Sequence, residues 1–216
     1  MLSGKTVVLG VTGSIAAWQA PEIIGRLRDL MIDVHCIMTA SAVQFITPLT
    51  LQVASQHPVG VNMLDRYADS AIAHIALADM ADLFLIAPAT ANIIAKLAHG
   101  IADDLLSSTA LATQAPILIA PAMNPNMYTH VITQENMETL YRAGYHFVGP
   151  DFGKTACGDE GIGRLAKIPD IIHKASYLLS NIQADQRVTG VDNDPGFNSN
   201  GEGVEIFIND ERRVRQ

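Results

Sequence analysis

The segment TACGDEGIGRLA, residues 155–166, places a lone cysteine among glycines and acidic residues. Cys157 is one of only two cysteines, and the other lies too far along the chain for CxxC chemistry. Negative charge on Asp159 and Glu160 raises the pKa of a nearby thiol above its usual value of about 8.5. We therefore predict that Cys157 is protonated at neutral pH and acts as an acid rather than as a nucleophile.

Glycines and two basic residues accompany this cysteine. Gly158, Gly161 and Gly163 make the segment conformationally permissive, and we hypothesise that it closes over a substrate and excludes water. Lys154 and Arg164 would lower the thiol pKa if either folded close to it. Either side chain could also meet a substrate phosphate, and the sequence does not choose between them.

The elements that must position this segment alternate between strand and helix patterns. Predicted strands cover residues 5–11, 33–39, 83–88, 115–121 and 145–150, and predicted helices cover residues 20–30, 90–100, 103–113, 132–144 and 168–182. The strands are continuous apolar runs, which is typical of strands buried on both faces. We predict an α/β fold, a Rossmann-like or flavodoxin-like doubly wound parallel sheet in a three-layer αβα arrangement.

Polar loops follow the predicted strands, at the edge where such sheets bind ligands. Gly10, Gly13 and Ala16 form a weak dinucleotide fingerprint, but the second strand ends in Thr39 and is followed by Ser41 instead of an acid. These hydroxyls disfavour NAD and fit a mononucleotide phosphate held by hydroxyls, backbone amides and a helix N-terminus. Plain turn chemistry is the alternative interpretation.

The loop APATAN, after the strand at residues 83–88, adds to this pattern. Its small residues would let the backbone approach a flat ring, and Thr90 and Asn92 could supply polar contacts to the ring edge. A helix N-cap at Thr90 is the simpler interpretation, and both can hold.

Composition excludes several classes of protein. The formal net charge of −8 argues against nucleic-acid binding, which needs clustered lysine and arginine. The two cysteines do not make a disulfide framework or a structural zinc site, and the sequence has no apolar run long enough for a membrane span. We expect a cytoplasmic protein. Because only 17% of the residues are charged and mean hydropathy is +0.21, we also expect some apolar surface to be buried between subunits.

The composition changes near the C-terminus. Residues 183–216 are rich in Gly, Asn and Asp, and we interpret them as a polar, mobile tail after a single domain at residues 1–182.

Four segments occur in the order GVTGSIAA, HIALADMADLFLIAPATAN, PAMNPNMY and ACGDEGIGRL. Together they resemble the flavin-containing cysteine decarboxylase family, from about Lys5 to Ser180. The pairing of PAMN with ACGD is specific, whereas GSIAA alone is not. The resemblance implies a flavodoxin-like sheet, FMN as cofactor, and a homo-trimer or assembly of trimers with FMN at the subunit interfaces. It also implies loss of carbon dioxide from phosphopantothenoylcysteine to give phosphopantetheine, a step of coenzyme A synthesis.

The resemblance also implies roles for individual residues. The residues expected to line FMN are Gly13, Ser14, Thr39, Ser41, Thr90, Ala91, Asn92 and Ala122. His74 would be the catalytic histidine, because an imidazole with a pKa of about 6.5 exchanges protons or holds a carboxylate when charged. Asn124, next to Met123, would hold the substrate carboxylate without a net charge. Cys157 would donate the proton of the late step. Without the resemblance, His74 could have a surface or capping role and Asn124 could be a turn residue before Pro125.

The chain departs from the family at two other positions, which lie in or next to the shared segments. Ile93 stands where many relatives have a threonine, so a hydroxyl contact to FMN is in doubt there, and Tyr128 stands where some have tryptophan. In many bacteria the domain is fused to a synthase, which the residues after 182 do not resemble. The ligation of phosphopantothenate to cysteine would then need another chain.

Other functions remain open from the sequence alone. A peptidyl-cysteine decarboxylase would not need the thiol of ACGD, and a flavin prenyltransferase lacks the combined PAMN and ACGD signature. A non-catalytic regulatory flavoprotein subunit is the alternative from another class, and an acidic tail is compatible with it.

Overall fold

The computed structural model describes residues 2–64, 72–154, 156 and 158–185. Its strands are β1 Thr6–Val11, β2 Asp33–Met38, β3 Val59–Gly60, β4 Leu83–Ala89, β5 Ile117–Pro121, β6 His146–Phe147, β7 Asp151–Lys154 and β8 Glu160–Arg164. Its α-helices are α1 Ala20–Asp29, α2 Pro48–Ser55, α3 Ala73–Met80, α4 Ala91–Ala98, α5 Leu105–Ala112, α6 Pro125–Tyr128, α7 Val131–Arg142 and α8 Ile168–Asp185. Short 3₁₀ turns occupy Ile15–Gln19 and Ala42–Gln44.

A six-stranded parallel sheet forms the centre of the molecule, in the order β3-β2-β1-β4-β5-β6. The direction of winding reverses between β1 and β4, so both halves of the sheet start from these neighbouring strands. β4 is buried along its whole length, as a continuous apolar run in a parallel sheet should be. The predicted α/β doubly wound fold is confirmed.

Two apolar layers cover the sheet. Helices α1, α2 and α8 pack on one face, where their leucines and isoleucines meet alternate residues of β1, β2, β4 and β5. Helices α3, α4, α5 and α7 pack on the other face. This division matters for the site, because each loop at the carboxyl edge leads to a helix on one face of the sheet and lies toward that face.

Local sequence signals place several helix boundaries. Thr90 caps α4, and Asp104 with Ser107 forms a reciprocal capping box at the start of α5. The carboxylate of Asp104 also accepts a hydrogen bond from Lys96 at 2.9 Å.

The structure differs from the sequence prediction in two regions. Helices α2 and α3 and the short strand β3 form between residues 48 and 80, which had no assigned elements. The glycine-rich segment, predicted to be a loop, instead forms the antiparallel hairpin β7–β8. Glycine and charge dominate that hairpin, so its β-propensity is weak and its pairing depends on contacts with other segments.

Within the described part of the chain, no helix combines the length and apolar character needed to cross a membrane. The predicted tail lies almost wholly outside the described residues, because α8 continues to Asp185 and residues 186–216 are not described.

Candidate functional site

Thr12 joins the two strands at which the sheet reverses its winding. Its Oγ1 donates a hydrogen bond to the carbonyl of Pro88 at 2.7 Å and accepts one from the amide of Thr90 at 3.1 Å. The side chain is buried, so these bonds hold the loop after β1 against the loop after β4. Sequence reasoning missed this role. The signal was a threonine directly after a buried strand, which usually indicates only a turn.

The loops after β1 and β2 also touch each other. A Cβ added to Gly13 would lie 2.4 Å from the Cβ of Ser41, so only glycine fits there. The Ser41 side chain is exposed and does not cap the turn that follows it, whereas Thr39 Oγ1 accepts from the Ala42 amide at 3.2 Å. Ser14 Oγ accepts from the amide of Ala16 at 3.4 Å.

These contacts make a shallow cradle of hydroxyls and backbone amides at the carboxyl edge, formed by residues 13–14 and 39–41. This arrangement fits the predicted phosphate position, because a mononucleotide phosphate needs donors without bulky side chains. Glycine is needed at position 10 for a different reason, because a Cβ on Gly10 would lie 2.8 Å from the Leu106 side chain.

The loop after β4 supports the N-cap interpretation of Thr90. Thr90 Oγ1 accepts from the amide of Ile93 at 3.4 Å, and Asn92 is exposed on the first turn of α4. Ile93 is buried in the core beneath that turn, which gives its apolar side chain a packing role in place of a hydroxyl contact. Ala91 is partly buried against the same core.

The hairpin β7–β8 packs tightly on the segment that follows β5. Ala122 donates its amide to the carbonyl of Ala89 at 2.9 Å, and Met123 donates its amide to the carbonyl of Gly163 at 2.9 Å. A Cβ on Gly163 would lie 2.4 Å from the Met123 carbonyl oxygen, and one on Gly161 would lie 2.8 Å from the Pro125 side chain.

Gly161 and Gly163 therefore have a packing role, and the hypothesis that the segment closes over a substrate stays a prediction. Gly161 and Gly163 are packed strand residues that allow close approach of two backbones, and neither has a positive φ. Gly158 alone of the three has a left-handed backbone, with φ of 93°.

Asn124 uses both ends of its side-chain amide. Its Oδ1 accepts from the amide of Asn126 at 2.8 Å and caps α6, and its Nδ2 donates to Oδ2 of Asp159 at 2.7 Å. The cap fixes the side chain, so Nδ2 is aimed at a carboxylate before any substrate is present. A substrate carboxylate could take the place of Asp159 on the same donor.

An open cleft of about 680 Å³ lies between the 3₁₀ turn after β1, the end of β5 and the hairpin. Its lining includes Ser14, Ala122, Met123 and Asn124, the four predicted site residues that the structure brings together here. The basic side chains along the cleft are Lys154, Arg164 and Lys167, and two exposed aromatic side chains, Trp18 and Phe152, lie at its wall. A cleft with these groups can hold an anionic substrate with apolar parts.

His74 lies elsewhere, near the start of α3, on the opposite face of the sheet from α1 and α8. It is half-buried, and its Nδ1 is the one buried side-chain nitrogen or oxygen of the described residues that lacks a hydrogen-bond partner. Leaving such an atom unpaired costs about 1–3 kcal/mol relative to a hydrogen-bonded one. The described residues lining the cleft do not include His74.

The structure describes Cys36 but not Cys157. Cys157 lies outside the described residues, so its role as an acid stays a prediction. Cys36 is buried in β2, and burial raises the pKa of its thiol to about 12, against a weaker opposing hydrogen bond with Ser55. Cys36 is therefore an inert core residue.

Comparison with known proteins identifies one protein family and several relatives in coenzyme A biosynthesis. The flavoprotein family matches residues 1–180. The coenzyme A biosynthesis bifunctional protein CoaBC of Escherichia coli is 51% identical over 181 residues, which cover 84% of this chain and 45% of that protein. The corresponding protein of Bacillus subtilis is 46% identical over 175 residues, covering 81% of this chain and 43% of that protein. This chain thus spans about half the length of the curated relatives it matches.

Solved structures show the same pattern. The FMN-dependent cysteine decarboxylase SpaF superposes with a TM-score of 0.73 at 32% identity, covering 85% of this chain and 99% of that one. A PPC decarboxylase variant complexed with pantothenoylaminoethenethiol superposes with a TM-score of 0.73 at 26% identity, covering 82% and 98%.

Proposed function

Because this chain belongs to the flavoprotein family, we propose that it catalyses the FMN-dependent decarboxylation of phosphopantothenoylcysteine to phosphopantetheine in coenzyme A biosynthesis. It would thus be a carboxy-lyase. The observation that carries this proposal is the contact between the PAMN and ACGD motifs. Asn124 donates to Asp159, and Met123 is bonded to Gly163, so the two segments form one wall of the cleft.

The cradle at the carboxyl edge would hold FMN. Gly13 lacks a Cβ, which lets the Cβ of Ser41 approach it closely, and the surrounding hydroxyls and amides suit the FMN phosphate. The cofactor would supply hydride acceptance from the thiol-bearing carbon of the substrate and return of that hydride after carbon dioxide has left. The chain would contribute binding, orientation and proton transfer.

Substrate binding and proton transfer would be carried out by different side chains of the protein. Asn124 would hold the substrate carboxylate with Met123 packed behind it, and His74 would accept or donate a proton at its unpaired Nδ1. One of the basic residues along the cleft would hold the substrate phosphate. Cys157 would protonate the product in the last step, as the sequence predicts.

We infer a homo-trimer or an assembly of trimers with active sites between subunits. His74 lies on α3, which packs on the sheet face opposite to α1 and α8, and it is not among the described residues that line the Asn124 cleft, so a second subunit would complete the site. Exposed apolar residues occur beside each of them: Ile72 and Ile75 flank His74, and Trp18 and Phe152 line the cleft. Joining such surfaces in a closed ring would bury both patches.

The remaining proposals concern where the enzyme acts and which enzyme supplies its substrate. We expect a cytoplasmic protein that acts after a phosphopantothenate-cysteine ligase, which would make the substrate. The bifunctional nature of the CoaBC relatives supports a close link to such a ligase. No nucleic acid or membrane takes part in this scheme.

The first experiment uses the purified full chain. We expect a yellow protein with an FMN spectrum that releases carbon dioxide from phosphopantothenoylcysteine and yields phosphopantetheine. Cys157→Ser should still release carbon dioxide but stop at the enethiol, whereas His173→Gln, at an exposed histidine on α8, should behave like the unmodified enzyme. A colourless protein that cannot take up FMN would refute the proposal.

The second experiment tests the shared site. His74→Gln and Asn124→Ala should each be inactive alone. Mixed assemblies made by co-expression should regain about a quarter of the activity, since random pairing restores one complete interface in four. If mixed assemblies stay inactive while each variant still binds FMN, both residues act within one subunit and the shared-site model is wrong.

Peptidyl-cysteine decarboxylation is the second candidate, because SpaF, a cysteine decarboxylase, matches along nearly all of its length. A peptide ending in cysteine distinguishes the two. We expect release from the phosphorylated pantothenoyl substrate and not from the peptide; the reverse result would assign the peptide reaction.

A further inference from the structure

Asp33, His35 and His57 form a cluster at the amino edge of the sheet, the end opposite to the cleft. Asp33 is the first residue of β2, and His35 follows two positions later, so both side chains project from the same face of the strand. His57 lies in the connection from α2 to β3, two residues before Val59, which pairs with Cys36 of β2. The fold therefore brings a distant histidine to a carboxylate and an imidazole that were already neighbours.

The three side chains converge on a common point. His57 Nε2 lies 2.7 Å from one carboxylate oxygen of Asp33, and His35 Nε2 lies 3.1 Å from the other. One ligand atom from each residue falls within 4.8 Å of the others. The two imidazole rings are stacked, with centroids 4.0 Å apart and planes inclined by 22°.

The backbone around the cluster is well anchored. The amide of His57 donates to Ser55 Oγ at 3.2 Å, and Arg28 donates to the carbonyl of Ala54 at 2.6 Å, which ties the end of α2 to α1. Two of the three donor groups sit on a strand inside a parallel sheet. Groups held on rigid elements keep the fixed geometry that a metal site requires.

The cluster offers two kinds of metal donor, imidazole nitrogens on His35 and His57 and carboxylate oxygens on Asp33. Metal ions bind neutral imidazoles and ionised carboxylates.

We propose that Asp33, His35 and His57 bind a divalent transition-metal ion of the Zn²⁺ class. Two imidazole nitrogens and one carboxylate oxygen form a donor set that suits Zn²⁺, Co²⁺ and Ni²⁺ better than Ca²⁺ or Mg²⁺. The exposed side of the Asp33 carboxylate, which is half accessible, leaves room for a water ligand at the fourth position.

The bound ion would act on stability and not on the reaction. It would clamp the connection between α2 and β3 to the start of β2, where only two residue pairs join β3 to its neighbour. Metal-independent hydrogen bonding is the competing role for the same three residues, and the two roles differ in whether a metal is taken up.

The test is Zn²⁺ titration by calorimetry of the tag-free, FMN-loaded full chain after treatment with a chelator. We expect one Zn²⁺ per chain and a higher melting temperature with Zn²⁺. Asp33→Asn and His57→Gln should each weaken binding by at least about tenfold. His173→Gln is the matched control, at an exposed histidine outside the cluster, and should bind Zn²⁺ like the unmodified protein.

X-ray absorption at the zinc edge checks the ligands. A first shell of nitrogen and oxygen with imidazole scattering supports the site, whereas a sulfur ligand would place the ion at a cysteine and overturn it. Absence of saturable uptake by the unmodified chain would also overturn it, as would unchanged affinity in Asp33→Asn. If His57→Gln fails to fold, His35→Gln provides the same comparison.

Discussion

Gly163→Ala tests whether the packing of β8 on the segment after β5 positions the carboxylate-binding amide. The added Cβ would lie 2.4 Å from the Met123 carbonyl oxygen, and real Cβ contacts begin at about 3.0 Å. The two backbones must therefore separate by about 0.6 Å or more. Gly163 has no positive φ, so the effect is steric and does not come from backbone strain.

The size of the effect follows from what the separation breaks. The bond from the Met123 amide to the Gly163 carbonyl is worth about 1 kcal/mol, and forcing a methyl into a packed contact costs about 1–3 kcal/mol. The unfolding free energy should fall by about 2–4 kcal/mol, which lowers the melting temperature by roughly 5–15 °C. Because Asn124 follows Met123, its amide moves with the segment, and a shift of this order should lower kcat by about ten- to a hundredfold.

The assay is carbon dioxide release from phosphopantothenoylcysteine, with thermal unfolding measured on the same samples. Gly25→Ala is the matched control, since nothing lies within 4 Å of a Cβ at this helical position. It should leave kcat unchanged and stabilise α1 by about 0.5–1 kcal/mol. A Gly163→Ala enzyme with normal kcat, at any melting temperature, would refute the idea that this contact positions Asn124.

Other substitutions test further parts of the structure. Gly13→Ala places a Cβ 2.4 Å from that of Ser41 and should weaken FMN binding by about tenfold or more; flavin absorbance after dialysis measures this, and full retention would contradict the cradle. Asp104→Ala removes the cap of α5 and should cost about 1 kcal/mol at pH 7 by urea unfolding. Burial acts to raise the pKa of Asp104, but hydrogen bonds, first from the Ser107 backbone, lower it overall, so its stabilisation is present above pH 3.8 and is lost as pH falls through the lower folded pKa. The deficit of the variant should therefore shrink in acid, and a constant deficit would exclude this ionised cap. Because the Cys36 thiol has a pKa of about 12, alkylation of the folded protein at pH 7 should leave it unmodified by mass spectrometry, and rapid labelling would show that β2 opens.

Periodicity and composition were sufficient to predict five of the six strands of the central sheet, β1, β2, β4, β5 and β6. Apolar runs such as residues 5–11 and 83–88 bury both faces of a strand, and this pattern is local, so it can be read without a structure. The family motifs, including the pairing of PAMN with ACGD, could also be recognised in the sequence alone.

The middle of the chain was harder to predict because its signals are weak. Helix α3 is only eight residues long and carries no acidic residue in its first turn and no side-chain cap. The region around His74 therefore had no predicted element, and its position near the start of a helix came from the structure. Its unpaired Nδ1 depends on which side chains fold around it.

The sequence by itself determined the alternation of strands and helices, the polar loops at one edge, and the residue types that could act on a carboxylate. Only the tertiary structure decided how they meet: Gly13 against Ser41, Asn124 against Asp159, and His74 on the face covered by α3, α4, α5 and α7. It also showed that Gly161 and Gly163 allow close packing of β8 on the segment after β5. The physical reason is that periodicity reports which face of an element is buried, whereas these contacts join residues far apart in sequence and depend on sub-ångström fit between backbones.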